Sequence, residues 1–335
     1  MRIMITGGTG FIGYHSAIAL LDAGHELCLL IRSEIKMRGL FGDRITDFVV
    51  GDVTDEAKVR EALQGCDGVI HTAAMVSIDK KDAQRVHDTN VGGTRLVIGN
   101  AVDMGLSKII HVSSVTALYD PSASVLNEFS PPGSANNAYG KSKVESEIYV
   151  RALQDDGAPI HITYPGSVIG PDDPALTEPH QGLKTYLGGV LPVMPSGNQW
   201  VDVRDIAAAH VRLLASDLPP GRYTLGGHFV SWNELVEILG RITGRRLRKI
   251  YLPGALMRLV GRLIDFLNRI RSTPIDAPIT YEAMVYATNW VIMDDSRAEA
   301  ELNLVFRPVE ESLGDAIRGL VKSGHVSVEQ AGELL

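Results

Sequence analysis

The sequence has few cysteines, no excess of basic residues and no long uncharged apolar run. Its two cysteines, Cys28 and Cys66, provide neither a disulfide framework nor a metal-binding spacing, so we expect a reducing compartment. The net charge of −8 gives the whole chain no basic footprint for nucleic acid. No stretch reaches the roughly 18 apolar residues of a membrane span, and no apolar segment of signal-peptide length follows Met1. We therefore expect a cytoplasmic protein without nucleic-acid partners.

A glycine-rich turn follows the first apolar run, residues 2–6, and leads into a helical pattern. Glycines in such a turn permit the close approach of a pyrophosphate, which the N-terminus of the following helix attracts. A second strand-like run at residues 27–31 completes the βαβ context that the motif requires. The sequence predicts a dinucleotide-binding α/β fold. The residues expected at the pyrophosphate are Gly7, Thr9, Gly10, Phe11, Ile12 and Gly13.

The end of the second predicted strand is basic. A site specific for NAD usually has an acidic residue there for the ribose hydroxyls, whereas this chain has Arg32, with Lys36 and Arg38 close behind. Cations at this place suit a 2′-phosphate. The pattern therefore favours NADP(H), with NAD(H) and a merely solvated basic turn as the alternatives.

Three further predicted strands end in residues that suit a ligand. Asp52 and Val53 follow the third strand, where they could border the adenine, and residues 108–114 form a fifth strand that ends in hydroxyls. Ligands bind at this edge of parallel α/β sheets. His71 on the fourth strand has no metal-spaced partner, so it is predicted to be a packed core histidine. The small residues after the fourth strand, where backbone could lie against the cofactor, are Thr72, Ala73 and Ala74.

Tyr139 and Lys143 stand four residues apart at the start of a predicted helix. This spacing places both side chains on one helix face, where an ammonium can favour the ionised phenol. Such a phenol could serve as a general acid or base. The spacing alone is common, and an ordinary surface pair would share it.

Together, in this order, the glycine turn, the strand-end residues and the Tyr139–Lys143 segment resemble those of an extended short-chain dehydrogenase/reductase of the NAD-dependent epimerase/dehydratase superfamily. The resemblance covers nearly the full length and implies a Ser-Tyr-Lys group. Ser114 would orient a substrate oxygen, Tyr139 would exchange its proton, and Lys143 would lower the pKa of Tyr139 and hold the nicotinamide ribose. Thr116 is the alternative to Ser114. Further cofactor contacts implied are Asn90, Val112, Ser113, Tyr164, Pro165, Ser167 and Val168.

Several positions resemble dihydroflavonol reductase-like and hydroxysteroid dehydrogenase-like members. Val115 and Thr116 stand where sugar-nucleotide dehydratases have an Asp-Glu pair, and Tyr164 stands where many epimerases have Arg. The resemblance implies an NADP(H)-preferring oxidoreductase that interconverts a carbonyl and a secondary alcohol on a small, apolar substrate. A sugar-nucleotide epimerase and a non-catalytic NADP-binding regulator are the alternatives. Relatives often dimerise through the helices that carry Asn90 and Tyr139, so a homodimer is expected.

The predicted architecture is a doubly wound parallel sheet of the Rossmann type with a smaller C-terminal α/β substrate domain. The dinucleotide domain comprises residues 1–170 with 199–228, and the substrate domain comprises residues 171–198 with 229–335. Asp202 and Asp205 could be paired catalytic carboxylates, but the resemblance makes them structural. No metal site is predicted.

Residues 254–271 carry apolar side chains at helical spacing with arginines between them, which predicts an amphipathic helix. Three interpretations stay open: a helix packed on the small domain, a lid over an apolar substrate, or peripheral membrane contact through residues 255–271.

Overall fold

The computed structural model describes residues 1–77, 80–270 and 280–335. The strands of this part of the chain are β1 Arg2–Thr6, β2 Glu26–Ile31, β3 Phe48–Val50, β4 Gly68–His71, β5 Lys108–Val112, β6 Ile160–Pro165, β7 Ser167–Ile169, β8 Val190–Val193, β9 Gly197–Asp202, β10 Arg222–Leu225, β11 His228–Ser231 and β12 Arg248–Tyr251. Its α-helices are α1 Phe11–Asp22, α2 Glu34–Phe41, α3 Glu56–Leu63, α4 Ala83–His87, α5 Gly93–Asp103, α6 Ala138–Asp155, α7 Glu178–Leu187, α8 Val203–Ala215, α9 Trp232–Thr243, α10 Gly254–Ile270, α11 Tyr281–Thr288, α12 Ser296–Glu301, α13 Val309–Lys322 and α14 Val328–Ala331.

Seven strands form a parallel sheet in the order β3-β2-β1-β4-β5-β6-β10. Its central strands are almost entirely buried and apolar, as expected for strands covered on both faces. The strand order reverses between β1 and β4, which makes the carboxyl end of β1 the place where doubly wound sheets bind ligands. The predicted fold class is confirmed.

Helices cover both faces of this sheet. On one face α3, α5 and α6 pack through residues such as Leu63, Ile98 and Val150. On the other, α1, α2 and α8 pack through residues such as Leu20 and Leu213. The two layers bury most of the sheet and leave its carboxyl edge to the connecting loops.

A smaller domain packs around a third core, to which α7, α9 and α13 contribute. Its strands form a three-stranded sheet, β11-β9-β7, and a pair, β12-β8. Trp200 on β9 and Leu235 on α9 lie in this core. As the resemblance implied, Asp202 caps α8 by accepting from the Arg204 backbone N–H at 2.8 Å, and Asp205 accepts from the Arg307 backbone N–H at 2.7 Å.

The chain returns to the large sheet near its end. Val291 and Met293 belong to the core on one face of the sheet, and Leu302, Leu304 and Phe306 belong to the core on the other. The predicted boundary, which put all of residues 229–335 with the substrate domain, therefore needs correction over residues 291–306. These apolar side chains complete the large domain before α13 goes back to the small one.

The amphipathic helix predicted for residues 254–271 is confirmed as α10, which ends at Ile270, and Arg271 lies outside the described residues. Among the described helices, none combines the length and apolar character required to cross a bilayer.

Candidate active site

The glycine turn at the carboxyl end of β1 has no room for a side chain at Gly7 or Gly13. Gly7 has a φ of 69°, and a Cβ there would lie 2.6 Å from Thr72 Oγ1. A Cβ on Gly13 would lie 2.7 Å from the same oxygen. Thr72 is itself fixed, because its hydroxyl donates to the Thr6 carbonyl at 2.8 Å. The turn is therefore packed tightly against the loop after β4.

The first turn of α1 is suited to bind a diphosphate. Gly10 is its N-cap, and within the described part of the chain no side chain caps the helix or places a carboxylate in its first turn. The first N–H groups of a helix have no intrahelical acceptor, and they favour an anion. Phe11 is buried with its ring 5.0 Å from His180, so it would meet a diphosphate only through its backbone. Thr9 and Ile12 are half-buried beside it.

Basic side chains lie at the end of β2. Arg32 and Lys36 are exposed there, and Ser33 caps α2 by accepting from the Lys36 backbone N–H at 3.3 Å. Arg38 is paired with Glu34 at 2.7 Å, so this cation is already engaged. Arg32 and Lys36 are therefore the cations that a 2′-phosphate could reach.

The ends of β3 and β4 are held by short local contacts. Asp52 accepts from the Thr54 backbone N–H at 3.1 Å and from its hydroxyl at 2.9 Å. Val53 is buried. Ala73 donates its backbone N–H to Thr6 Oγ1 at 3.3 Å, and Ala74 is exposed. Of these residues, Ala73 lies against the glycine turn, since a Cβ on Gly7 would be 2.7 Å from its backbone nitrogen. The adenine contact of Asp52 and Val53 stays a prediction.

The Asn90 side chain links two segments of the chain, a structural role that the sequence does not predict. It lies in a π-helical turn, Asp88–Gly92, and is 2% exposed. Its amide accepts from the Met75 backbone N–H at 2.7 Å and donates to the Met75 carbonyl at 3.0 Å and to Ser142 Oγ at 2.8 Å. The side chain is thus fully used in joining the loop after β4 to α6. Its cofactor contact stays a prediction.

The structure brings Ser114, Tyr139 and Lys143 together. Helix α6 begins at Ala138 because Asn137 caps it, accepting from the Gly140 N–H at 2.7 Å, and this places Tyr139 and Lys143 one turn apart. Ser114 follows β5 and hydrogen-bonds the Tyr139 phenol. Of the two candidate hydroxyls, Ser114 is therefore the one beside the phenol.

Lys143 lies deep in the site, where it is 7% exposed. Its Nζ is 3.4 Å from the Val112 carbonyl, which is the acceptor in contact with it among the described residues. An ammonium has three donors, so one long hydrogen bond leaves a buried cation under-satisfied. This is the environment into which a ribose diol would fit.

Burial dominates the acid–base properties of this group. It raises the pKa of Tyr139 to about 12; the hydrogen bond from Ser114 opposes this rise, and the charge of Glu178 adds to it. Burial likewise lowers the pKa of Lys143 to about 8, against the opposing charge of Glu147. The implied lowering of the Tyr139 pKa by Lys143 is therefore not what the protein alone produces. At neutral pH the phenol carries its proton.

A buried polar network supports α6 from behind. Glu147 accepts from Ser113 Oγ at 2.7 Å, from Arg151 Nε at 2.6 Å and from the Tyr164 hydroxyl at 2.5 Å. Burial, with the charge of Glu147, raises the pKa of Tyr164 well above its ordinary value. The side chains of Ser113 and Tyr164 are thus engaged in this network, and the cofactor contacts of these two residues stay predictions. The Glu147 network was not predicted.

The predicted nicotinamide contacts after Tyr164 lie at the junction of β6 and β7. Pro165 ends β6, and the Ser167 hydroxyl donates to Asn198 Oδ1 at 2.9 Å. Val168 packs against the core that contains α1 and α8. The hydrogen bond between Ser167 and Asn198 thus joins β7 to β9 directly after the end of β6.

His71 is a packed core histidine, as predicted. It is hydrogen-bonded to Thr6 Oγ1 at 2.7 Å and to Thr94 Oγ1 at 3.1 Å. Its ring stacks on His111 of the neighbouring strand, with centroids 5.7 Å apart. Burial lowers the pKa of His71 to about 3, so the ring beneath Lys143 is neutral.

Comparison with known proteins decides the family. The model of the NAD dependent epimerase/dehydratase family matches residues 3–226, which include the glycine turn, Ser114, Tyr139 and Lys143. The chain belongs to this family.

Proteins similar to this family member include a putative dihydroflavonol 4-reductase of Synechocystis sp., 30% identical over 97% of this chain and 96% of the relative. Sterol demethylase protein B of Methylococcus capsulatus is 28% identical over 97% of this chain and all of the relative. The crystal structure of gox2253 superposes with a TM-score of 0.82 at 26% identity, over 97% of this chain and 99% of that one. This epimerase/dehydratase-family protein is therefore an NAD(P)-dependent enzyme of the extended short-chain dehydrogenase/reductase type.

Proposed function

We propose that the protein is an NADP(H)-preferring oxidoreductase that interconverts a carbonyl and a secondary alcohol on an apolar substrate. The observation that carries this proposal is the Tyr139 phenol, hydrogen-bonded to Ser114 and one turn before a buried ammonium. A group of this kind moves a proton to or from a substrate oxygen, while the nicotinamide, when bound, supplies or accepts the hydride.

Each residue has a distinct task in this proposal. Because its pKa is about 12, Tyr139 is protonated at neutral pH and can donate to a carbonyl oxygen as that oxygen gains charge. Ser114 donates a second hydrogen bond to the same oxygen and fixes its position. Lys143 would hold the nicotinamide ribose, because the ribose hydroxyls would accept the hydrogen bonds that the ammonium otherwise lacks. At neutral pH the phenol therefore holds the proton that reduction of a carbonyl consumes.

The preference for NADP(H) is supported by the basic end of β2. Arg32 is exposed there, and Ser33 caps α2, so a 2′-phosphate would meet a guanidinium and a helix N-terminus together. No carboxylate occupies the usual place for binding the ribose hydroxyls, since Arg32 directly follows β2.

The apolar substrate is supported by two observations. Two of the relatives that align over nearly the whole chain carry names that refer to a dihydroflavonol and to a sterol, both polycyclic compounds. In addition, the Tyr164 hydroxyl is directed to Glu147 and Arg151, so this position offers no cation to a nucleotide diphosphate. A polycyclic ketone or its alcohol is therefore the proposed substrate class.

The experiment is NADPH oxidation, followed by absorbance, with a panel of steroid ketones, flavanone-type ketones and aromatic aldehydes, each repeated with NADH. We expect turnover of at least one apolar carbonyl, and faster turnover with NADPH. Conversion of a UDP-hexose to its epimer without net cofactor consumption would instead assign an epimerase. Tight NADP binding without turnover of any carbonyl, alcohol or sugar nucleotide would assign a binding role.

A further inference from the structure

Helix α10 presents an apolar stripe to solvent. Its exposed large side chains recur three or four residues apart, which places them on one face of the helix. Their exposed fractions range from 37% to 56%. The members of this α10 stripe are Leu256, Leu259, Leu263, Phe266 and Leu267. Contiguous exposed apolar side chains of this kind mark interaction sites.

The opposite face of α10 is fixed against α11, so the helix cannot turn its stripe inward. A Cβ on Gly261 would lie 2.8 Å from the Thr280 carbonyl, which shows how closely the two helices pack. Arg258 donates to Thr288 Oγ1 at 2.7 Å, and Asp265 accepts from the Tyr281 backbone N–H at 3.0 Å. The orientation of the α10 stripe is therefore set by hydrogen bonds as well as by packing.

The segment of the sequence that contains α10 carries charge opposite in sign to that of the whole protein. Residues 245–271 contain eight Lys and Arg and one acidic residue, Asp265, in a chain whose net charge is −8. Arg246 and Arg248 are exposed just before α10, and Arg262 is exposed beside the stripe with its guanidinium 4.4 Å from the Tyr281 ring centroid. An apolar face with a basic border in an acidic protein has a marked electrostatic polarity.

We infer that the α10 stripe docks this protein on an anionic lipid surface. The leucines and Phe266 would enter the region between headgroups and acyl chains while the arginines meet lipid phosphates. The acidic remainder of the molecule would be repelled from the same surface, which fixes the direction of approach. A second copy of the chain is a poorer occupant, because an isologous contact would bring two basic segments together.

The docked face lies close to the catalytic layer. Helix α11, on which α10 packs, places Tyr286 with its ring centroid 4.1 Å from that of Tyr119. Tyr119 follows the 3₁₀ turn Val115–Ala117, which begins directly after Ser114. The docked face is thus connected to the segment that carries Ser114 through α11 and Tyr119, which would place an apolar substrate dissolved in a bilayer on the same side as this segment. Delivery of a substrate from the bilayer rests on the proposed function, whereas docking on the lipid surface does not.

The experiment is co-sedimentation of the full-length protein with vesicles of phosphatidylcholine, with and without phosphatidylglycerol, at low and high salt. We expect binding to the anionic vesicles that weakens with salt. The double variant Leu259→Gln/Leu263→Gln should lose at least about tenfold in vesicle affinity, because two partly inserted apolar side chains are removed. The matched control is Ile35→Gln/Val305→Gln, which changes side chains that are 87% and 81% exposed elsewhere, and it should bind as the parent does.

Light scattering of the same variants separates the outcomes. If the parent ignores anionic vesicles, or if both double variants bind them equally, the inference is overturned. If the parent instead forms a dimer that only Leu259→Gln/Leu263→Gln dissociates, the stripe is a contact between copies. Turnover of a water-soluble ketone should be unchanged in the variant. Vesicle binding by a protein that reduces no carbonyl would overturn the proposed function alone.

Discussion

Glu147 lies one helical turn after Lys143 in α6, and its buried carboxylate raises the pKa of the Lys143 ammonium against the larger, opposite effect of burial. The carboxylate is held by Ser113 and Arg151, at 2.7 and 2.6 Å. This buried network thus influences the charge of Lys143, a residue that we propose to be part of the catalytic group.

Glu147→Gln should move the alkaline limb of the kcat/KM profile to lower pH, because loss of the carboxylate lets burial lower the pKa of Lys143 further below about 8. It should also destabilise the fold by about 3–5 kcal/mol, since Arg151 is left buried without its partner. Activity over a pH range and urea unfolding test both effects. Glu145→Gln, on the same helix but 44% exposed, is the control. An unchanged alkaline limb in Glu147→Gln would contradict the coupling.

Lys143→Met should abolish turnover and yet stabilise the protein at neutral pH. In the folded chain the pKa of Lys143 is lowered from 10.5 to about 8, so the unfolded chain binds this proton more tightly. The resulting cost of about 3 kcal/mol is fully present below the folded pKa and disappears as pH rises towards the unfolded one. Urea unfolding at neutral and alkaline pH measures it. Lys141→Met, at an exposed site two residues earlier and on another face of α6, should change neither property.

Tyr139→Phe should reduce kcat by at least about two orders of magnitude, because it removes the proton that the substrate oxygen needs. NADPH affinity should stay within a few-fold of the parent value, since Lys143 and the glycine turn are unchanged. Steady-state kinetics and fluorescence titration with NADPH separate the two. Tyr149→Phe on the same helix is the matched control, and substantial turnover by Tyr139→Phe would remove this phenol from the mechanism.

Arg32→Gln should weaken NADPH binding by roughly ten- to hundredfold and leave NADH binding nearly unchanged, because only NADPH carries the 2′-phosphate. Titration calorimetry with each cofactor gives the comparison. Arg318→Gln alters an exposed arginine of α13 paired with Asp315 and serves as the control. Equal losses for both cofactors would mean that Arg32 stabilises the strand end and reads no phosphate.

Gly13→Ala should disrupt cofactor binding and lower stability, since the new methyl group would lie 2.7 Å from Thr72 Oγ1 and still closer to the Gly7 carbonyl. Gly39→Ala is matched in chemistry but meets no atom within 4 Å in α2, so it should be neutral or slightly stabilising. Thermal unfolding with and without NADPH compares them. A Gly13→Ala protein that is stabilised by NADPH as much as the parent would show that the turn can widen.

The features that can be predicted from the sequence are those set by short local patterns. The glycine turn and the Tyr139–Lys143 spacing each lie within one short segment, where residue type dictates backbone geometry. The Ser113–Glu147 contact joins two distant segments, and its one local signal is that Lys143, Glu147 and Arg151 recur every four residues on the same helix face. The sequence predicts that Asn90 lies near the site, but no sequence pattern predicts its hydrogen bonds to the Met75 backbone.

The return of residues 291–306 to the large sheet was not predicted for a related reason. Leu302, Leu304 and Phe306 are apolar, and apolar side chains fit either core equally well. Only the three-dimensional path of the chain decides which core they fill.

The path of the chain also limits how the small domain can be replaced by the small domain of a relative. Residues 291–306 belong to the large domain, and α13 beyond them belongs to the small one, so the small domain is not a continuous C-terminal block. Consider a chimera in which a relative's sequence replaces everything after residue 228. The relative's residues would then stand at positions 302 and 306, and they would pack poorly against the unchanged core of the large sheet. Specificity should therefore transfer between relatives only when the parent's own residues 291–306 are restored between the grafted segments.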